Sequence, residues 1–193
     1  YMDKTGMSGS PPSSPEMEWG VRLEPLVAKA YADHTGHTLQ RPQAGIVSAE
    51  DPWRMGTPDY LVLDQKLGVE IKTAGLRQAW RWGEEGEAVP EESRVQCAWY
   101  MGLLEWDRWD LAVLIGGQDF RLYSLERDRY LEELLGEAGR RFWLDHVIPR
   151  IPPPLDTSED TAKYLVRRYP AHLAEELVVA DKEAEDWYLR YLQ

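Results

Sequence analysis

A mixed α/β fold is predicted by the order of elements along the chain: a helix, a β-hairpin, a second helix, a second hairpin and then further helices. Segments of alternating apolar and polar residues define the two hairpins, and segments with apolar residues at helical spacing separate them. The chain has 193 residues, which suits one domain with an appendage. We place the domain at residues 1–170 and an acidic, helical C-terminal extension at residues 171–193.

The first helix is predicted from apolar residues at near-helical spacing between Val21 and Tyr31. Gly36 follows as its C-cap, because glycine tolerates the left-handed conformation that ends many helices. Pro25 disfavours α geometry in the residue before it. The helix should therefore either begin or bend at this proline.

The remaining elements follow from the same two periodicities. Paired strands are expected over 59–65 and 69–73, with a turn at 65–68, and a second hairpin should turn at Gly116-Gly117-Gln118. Helices are expected over 93–106, from about Arg127 to Val147, and from a cap at Ser158 to Tyr169.

Composition narrows the functional class. The net charge of −12 repels polyanions, so a nucleic-acid site would need a local positive surface. A single cysteine, Cys97, excludes an internal disulfide and a four-cysteine metal site from this chain alone. No apolar segment approaches the roughly 18 residues of a membrane span, and no secretory signal is visible, which favours a cytoplasmic protein. Because the chain begins at Tyr1, we expect an excerpt of a longer protein.

The segment GTPDYLVLDQKLGVEIKT, residues 56–73, carries the candidate chemistry. Glu70 and Lys72 lie two apart in a strand and project from one face, and hairpin pairing can bring Asp59 beside Glu70. Two carboxylates suit Mg²⁺, and an adjacent lysine can orient a water molecule or offset phosphate charge. The alternative is an ordinary same-face charge pair on a solvated strand.

The motifs in order resemble the G-x-x-D, E-x-K and Q-x-x-x-Y series of the PD-(D/E)XK nuclease superfamily, in its RecB-like and lambda-exonuclease-like branch. They are carried here by GTPD from Gly56, EIK from Glu70 and QCAWY from Gln96, with GVRLE from Gly20 resembling the helix motif that precedes them. The sequence is most similar to the YqaJ-type viral recombinases, which are phage alkaline exonucleases. Four motifs in order are more specific than any one of them.

This resemblance implies a restriction-endonuclease-like core, with a central mixed sheet flanked by helices, and a role for each matching residue. Asp59 and Glu70 would bind a catalytic Mg²⁺, for which Mn²⁺ could substitute, with the backbone carbonyl of Ile71 as a further ligand. Glu24 would help to hold a second ion. Lys72 would act on the nucleophilic water. In the neighbouring helix, supporting roles would fall to Gln96 and Tyr100.

A segment rich in arginine and tryptophan follows the E-x-K motif and suits phosphate contact with base stacking. Its residues are Arg77, Trp80, Arg81 and Trp82. An equally weighted alternative is a loop that covers the core, with the arginine stems lying along apolar surface.

The resemblance implies a Mg²⁺-dependent exonuclease that digests linear double-stranded DNA from its ends, 5′ to 3′, in phage-type recombination. Its partners would be duplex ends, a single-strand annealing protein and other copies of the chain in a homotrimer, in the cytoplasm of a bacterial host of a phage or prophage. Relatives carry a DNA-end-binding segment before the Glu24 helix, and this chain is expected to begin inside or after it. Two alternatives remain: a site- or structure-specific endonuclease, and a noncatalytic DNA-binding or assembly module on a nuclease scaffold.

Overall fold

A four-stranded mixed sheet forms the centre of the protein. The computed structural model describes residues 1–7, 14–84 and 88–168. The strands of this sheet are β3 (Tyr60–Val62), β4 (Leu67–Ala74), β5 (Arg108–Ile115) and β6 (Asp119–Glu126). The sheet has the order β3-β4-β5-β6, in which β4 and β5 are parallel and the two outer pairs are antiparallel. A two-stranded sheet pairs β1 (Ile46–Val47) with β2 (Met55–Gly56).

The helices are α1 (Met2–Thr5), α2 (Pro15–Thr35), α3 (Glu91–Leu104), α4 (Arg129–Phe142) and α5 (Glu159–Arg168). Helix α3 connects the parallel strands β4 and β5, as a parallel pair requires. Within residues 14–84 and 88–168, α2 packs on one face of the sheet and α3 on the other, with α4 against α3. The predicted mixed sheet flanked by helices is confirmed.

Alternation along β4 assigns its side chains to the two faces. Leu67, Val69 and Ile71 join the core cluster of α2, where Tyr31 is fully buried. Glu70 and Lys72 project to the opposite face, on the side of α3. The alternation that makes a strand therefore also delivers both charged side chains to one surface.

Helix α2 begins at Pro15 and passes through Pro25, so Pro25 does not mark its start. The Ser14 hydroxyl caps the helix by accepting a hydrogen bond from the amide of Met17 at 3.2 Å. Gly36 has φ of 76° and caps the C-terminus, as predicted. The early start adds turns before Glu24 and anchors that residue well inside a helix.

In the first hairpin, the first strand is shorter than predicted and the second strand, Leu67–Ala74, is longer. Strand β3 ends at Val62 because residues 63–65 form a 3₁₀ turn, and Lys66 rather than Gly68 takes the left-handed conformation, with φ of 50°. Gly68 lies inside β4, where an added Cβ would come within 2.3 Å of the Trp109 ring. Close packing on Trp109, not the turn, explains this glycine.

The helix predicted from Arg127 to Val147 is α only to Phe142 and continues as a π-helical turn over Trp143–Val147. The predicted cap at Ser158 is present, because its hydroxyl accepts from the amide of Thr161 at 3.2 Å. Among the described residues, Tyr1 and Asp3–Pro153 belong to one compact unit, and Met2 and residues 154–168 belong to a second. The predicted extension at 171–193 lies outside the described residues. No helix within the described ranges is long and apolar enough to span a membrane.

Candidate active site

The β3–β4 pairing brings Asp59 to the E-x-K motif. Tyr60 lies opposite Val69, so Asp59, just before β3, is next to Glu70 in register. Its Oδ2 accepts a hydrogen bond from the amide of Ile71 at 2.8 Å. This bond fixes the carboxylate beside β4, because the carboxylate replaces the neighbouring-strand carbonyl that the Ile71 amide would otherwise bind. The structure therefore brings Asp59 and Glu70 together as the hairpin predicts.

A chain of hydrogen bonds connects Glu70 to α3. The Lys72 ammonium donates to Glu70 Oε1 at 2.7 Å and to Gln96 Oε1 at 2.8 Å. Gln96 Nε2 donates to the Tyr100 hydroxyl at 3.1 Å, and that hydroxyl donates to the carbonyl of Thr57 at 3.2 Å. Lys72, Gln96 and Tyr100 thus form one connected network that joins the strand, the helix and the loop before Asp59.

Gly56 has a steric reason to be glycine. A Cβ at this position would lie 2.5 Å from Cε1 of Tyr100, far inside normal contact distance. The first residue of G-x-x-D and the last residue of Q-x-x-x-Y therefore pack directly on each other. These two motifs are separate in the sequence but form one packed unit in the structure.

Glu24 approaches from α2 and meets a residue that the sequence did not single out. Arg41 Nη2 lies 3.0 Å from Glu24 Oε1, in an ion pair that lacks hydrogen-bond geometry, since this oxygen has no hydrogen-bond partner within the described residues. The Arg41 guanidinium also lies 5.9 Å from the centre of the Tyr60 ring. No periodicity or spacing marks an arginine in this loop, so only the tertiary contact reveals it.

Burial raises the pKa values of all three carboxylates, and the charge of Asp59 raises those of Glu70 and Glu24 further. Burial raises the pKa of Glu70 to about 7, helped by the charge of Asp59 and opposed by Lys72. Burial also raises the pKa of Asp59, against the hydrogen bond from Ile71 and the charge of Lys72. For Glu24, burial and Asp59 raise the pKa and Arg41 lowers it. Buried carboxylates that lie this close together and have raised pKa values are typical of sites that bind a cation.

The pKa of Lys72 is raised overall. Burial acts to lower it, but the ion pair with Glu70 and the nearby Asp59 raise it more. Lys72 is therefore an ammonium at neutral pH in the metal-free protein. In that form it donates hydrogen bonds and supplies positive charge, and it does not accept a proton.

The carboxylates fit a hard divalent cation. Glu70 is buried, and its Oε2 has no hydrogen-bond partner among the described residues, which is costly for a carboxylate unless an ion binds it. Oxygen ligands of this kind suit Mg²⁺. Across residues 1–7, 14–84 and 88–168, however, no group of three or more His, Cys, Asp or Glu side chains is already gathered for a metal. The residues that fit a divalent cation are therefore Asp59 and Glu70, whereas Glu24 is held in an ion pair with Arg41.

In the structure, the segment rich in arginine and tryptophan contains both exposed and buried residues. Residues 76–81 form a 3₁₀ segment after β4, on which Arg77 is exposed and Trp80 is 82% exposed. Arg81 donates to Glu92 at 2.7 Å. Trp82 is only 7% exposed and packs 5.8 Å from the Tyr123 ring, so it belongs to the core. A base could stack on Trp80 in this conformation but has no access to Trp82.

A mixed sheet in which Asp59, just before β3, lies beside Glu-x-Lys on β4, with Gln96 on the helix that connects β4 and β5, is the PD-(D/E)XK fold. A family model described as YqaJ-like viral recombinase domain matches residues 1–104, and the chain belongs to this family. The curated relative "Uncharacterized protein YqaJ" of Bacillus subtilis (strain 168) is 32% identical over 195 residues, which cover 98% of this chain. The chain spans 60% of the length of that relative.

Two solved exonuclease structures share the fold. The alkaline exonuclease LHK-Exo from Laribacter hongkongensis has a TM-score of 0.59 and 17% identity, over 82% of this chain and 76% of its own, and has also been solved in complex with dAMP. A phage related exonuclease from Haemophilus somnus 129PT has a TM-score of 0.55 and 16% identity, over 78% of this chain and 79% of its own. These similarities confirm the predicted fold.

Proposed function

We propose that this protein is a Mg²⁺-dependent exonuclease that hydrolyses phosphodiesters at the ends of linear double-stranded DNA in the 5′ to 3′ direction. The observation that carries the proposal is the convergence of Asp59, Glu70, Lys72 and Gln96, with a buried carboxylate oxygen of Glu70 that accepts no hydrogen bond from the part of the chain that the structure describes. Support also comes from membership of the YqaJ-like family and from a fold shared with two exonucleases, one of which binds the nucleotide dAMP.

Each residue has a distinct part in this proposal. Asp59 and Glu70 would hold the metal, with the Ile71 carbonyl, and Glu24 would add a carboxylate after it leaves Arg41. The metal would supply Lewis-acid polarisation of the phosphate and a more acidic bound water.

The Lys72 ammonium is held at a fixed place by Glu70 and Gln96, and its side chain keeps 29% of its surface exposed. It can therefore donate to a phosphate oxygen or to the attacking water without first being reorganised, and it offsets negative charge that develops in the transition state. Gln96 and Tyr100 position the lysine and do not touch the reacting atoms. Their role is to hold the Lys72 ammonium in this orientation while the carboxylates bind the cation.

DNA must approach a protein with a net charge of −12. The exposed Arg77 and Trp80 lie on the segment directly after the strand that carries Lys72, and they would contact phosphate and base there. Assembly into a homotrimer would gather such cations around one channel, and a single-strand annealing protein would take up the strand that is left. Both partners belong to the proposal and follow from the family resemblance.

The test is digestion of linear duplex DNA labelled at either end, with and without Mg²⁺, comparing 5′-phosphate with 5′-hydroxyl ends. We expect Mg²⁺-dependent release of mononucleotides from the 5′ end and no attack on covalently closed circles. Asp59→Asn, Glu70→Gln and Lys72→Met should each lower the rate by at least about 100-fold, the range typical of lost electrostatic catalysis. Asp64→Asn, an exposed aspartate in the hairpin turn, is the matched control and should digest DNA normally.

Other outcomes of these assays would identify the alternative functions. Cutting of closed circular DNA would identify an endonuclease. DNA binding with no cleavage under Mg²⁺ or Mn²⁺, unchanged by Asp59→Asn, would identify a noncatalytic module and refute the proposal.

A further inference from the structure

Arg41 is held next to the candidate active site by its backbone. The preceding residue, Gln40, forms a β-bridge with Leu61 of β3, in which each amide donates to the other residue's carbonyl at 2.9 Å. Pro42 follows and disfavours α geometry at Arg41, because the proline ring crowds the residue before it. The backbone from which the arginine side chain projects is therefore fixed against the strand that begins directly after Asp59.

The guanidinium of Arg41 lies near two carboxylates of the site. Its Nη2 is 3.0 Å from Glu24 Oε1, and the group lies 5.9 Å from the centre of the Tyr60 ring. Its positive charge lowers the pKa of Glu24 and also that of Asp59, both of which burial raises. Arg41 is therefore a counter-ion within electrostatic reach of both acids.

The ion pair with Glu24 leaves the donors of Arg41 unused. Within the described residues the guanidinium donates no hydrogen bond, although it carries several N–H groups. The Arg41 side chain is 61% exposed, whereas the Glu24 side chain is only 16% exposed. A buried carboxylate thus holds an arginine whose donors remain available to another ligand.

A phosphate group is the ligand that these donors fit. Arginine can bind two phosphate oxygens through parallel N–H groups, and such charge-assisted bonds are stronger than bonds between neutral groups. Because the net charge of the chain is −12, DNA depends on local cations to approach the site. Among the described residues, Lys72 and Arg41 are the cations whose charge acts on Asp59. Both are therefore placed to meet the DNA backbone at the acids.

Glu24 can exchange Arg41 for a divalent cation. The charge of Asp59 raises the pKa of Glu24, so the two carboxylates repel each other when both are ionised. A hard divalent cation prefers carboxylate oxygens and offsets this repulsion more strongly than a singly charged guanidinium. The existing pair lacks hydrogen-bond geometry, so only charge attraction is lost when it separates.

We infer that Arg41 binds a phosphate of the DNA after Glu24 has exchanged it for a divalent cation. The inference rests on the proposed function and adds a phosphate contact to it. In the metal-free protein, Glu24 occupies the arginine. Cation binding and DNA binding are therefore coupled, since each favours the state in which the ion pair is broken.

The first test measures binding of a linear duplex against salt concentration, in EDTA and in Ca²⁺, a hard cation that also takes oxygen ligands. In Ca²⁺, Arg41→Gln should weaken binding by roughly 10- to 150-fold, the value of a charge-assisted hydrogen bond. It should also reduce the steepness of log K against log salt by about 1, because one phosphate contact is lost. In EDTA both effects should be small, because Glu24 already occupies Arg41.

Glu24→Gln releases the arginine without any cation. It should therefore make the salt dependence in EDTA steeper by about 1. The double variant Glu24→Gln/Arg41→Gln should lose that gain, because the gain belongs to the released arginine. Arg129→Gln is the matched control. It removes an arginine that is 77% exposed and paired with Asp107, and its effect on binding should be equal in EDTA and in Ca²⁺.

The second test measures cation binding without DNA. Titration with Mn²⁺, followed by electron paramagnetic resonance, counts the bound ions and gives their affinities. Arg41→Gln should tighten one Mn²⁺ site by at least about 10-fold, because no positive charge then has to leave Glu24. Glu24→Gln should weaken that site, with or without Arg41→Gln.

Equal salt dependence of the wild type and Arg41→Gln in Ca²⁺ would overturn the inference, as would unchanged Mn²⁺ affinities in Arg41→Gln. An equal loss of DNA affinity with and without Ca²⁺ would also overturn it, because the arginine would then bind phosphate without leaving Glu24. These measurements do not depend on cleavage. Digestion of linear DNA by the wild type with unchanged salt dependence would refute the role of Arg41 alone, whereas absence of digestion in Mg²⁺ would refute the nuclease.

Discussion

Glu70→Gln should stabilise the metal-free protein at alkaline pH. The pKa of Glu70 is raised from its ordinary value of 4.5 to about 7, first by burial and then by the charge of Asp59. Between these two pH values the folded protein holds a proton that the unfolded chain releases. Its stabilising contribution is therefore complete below pH 4.5 and is lost as the pH rises to 7. The difference between a pKa of 4.5 and a pKa of about 7 corresponds to roughly 3 kcal/mol of unfolding free energy.

Thermal unfolding followed by circular dichroism in EDTA measures this effect at pH 5 and pH 8. The wild type should lose stability relative to Glu70→Gln over that interval, by roughly 6–12 °C in melting temperature for a chain of this length. Added Mg²⁺ at pH 8 should then stabilise the wild type, because a ligand that binds the folded state alone raises its stability. Glu133→Gln, an exposed glutamate of α4, is the matched control and should follow the wild type. An equal gap between wild type and Glu70→Gln at both pH values would refute the reasoning.

Three further predictions concern packing and DNA contact. Gly56→Ala should destabilise the protein by about 1–3 kcal/mol in urea unfolding, since its Cβ would lie 2.5 Å from a tyrosine ring, whereas Gly45→Ala, with its nearest neighbours at 3.5 Å, should be tolerated. Trp80→Ala should weaken DNA binding by about 1–3 kcal/mol and leave the melting temperature unchanged, because Trp80 is exposed. Trp82→Ala should instead cost about 3–5 kcal/mol of stability, because Trp82 is buried. Equal melting temperatures of the two variants would contradict the assignment of Trp82 to the core. Tyr31→Phe should cost about 1–3 kcal/mol, because its hydroxyl donates at 2.7 Å to a buried aspartate, and an unchanged urea midpoint would argue against that bond.

The first hairpin shows what a local pattern can predict. Alternation assigns Glu70 and Lys72 to one face, and strand pairing places Asp59 beside them, because both follow from a period of two residues and from the chain reversal. The helices with Glu24 and Gln96 follow from apolar spacing in the same way. The resemblance of the ordered motifs then predicted the PD-(D/E)XK fold, which the structure confirms.

Boundaries and turns were less predictable. Gly68 looks like a turn residue in sequence but lies in β4, because a tryptophan of β5, 41 positions further on, packs against it. Trp80 and Trp82 have the same local composition and differ only in what covers them. The residue type determines which contacts a side chain can make, and its tertiary neighbours determine whether the side chain is exposed enough to make them.

The sequence by itself determined the mixed α/β order, the face on which Glu70 and Lys72 lie and the identity of the acidic residues, since these depend on periodicity and on chemistry within short segments. Only the tertiary structure decided that Arg41 pairs with Glu24, that Tyr100 needs Gly56, and that five aromatic residues from distant segments line a cavity next to Gln96. Each of these is a contact between segments distant in the chain. Such contacts are set by how helices pack on the sheet, which no local spacing encodes.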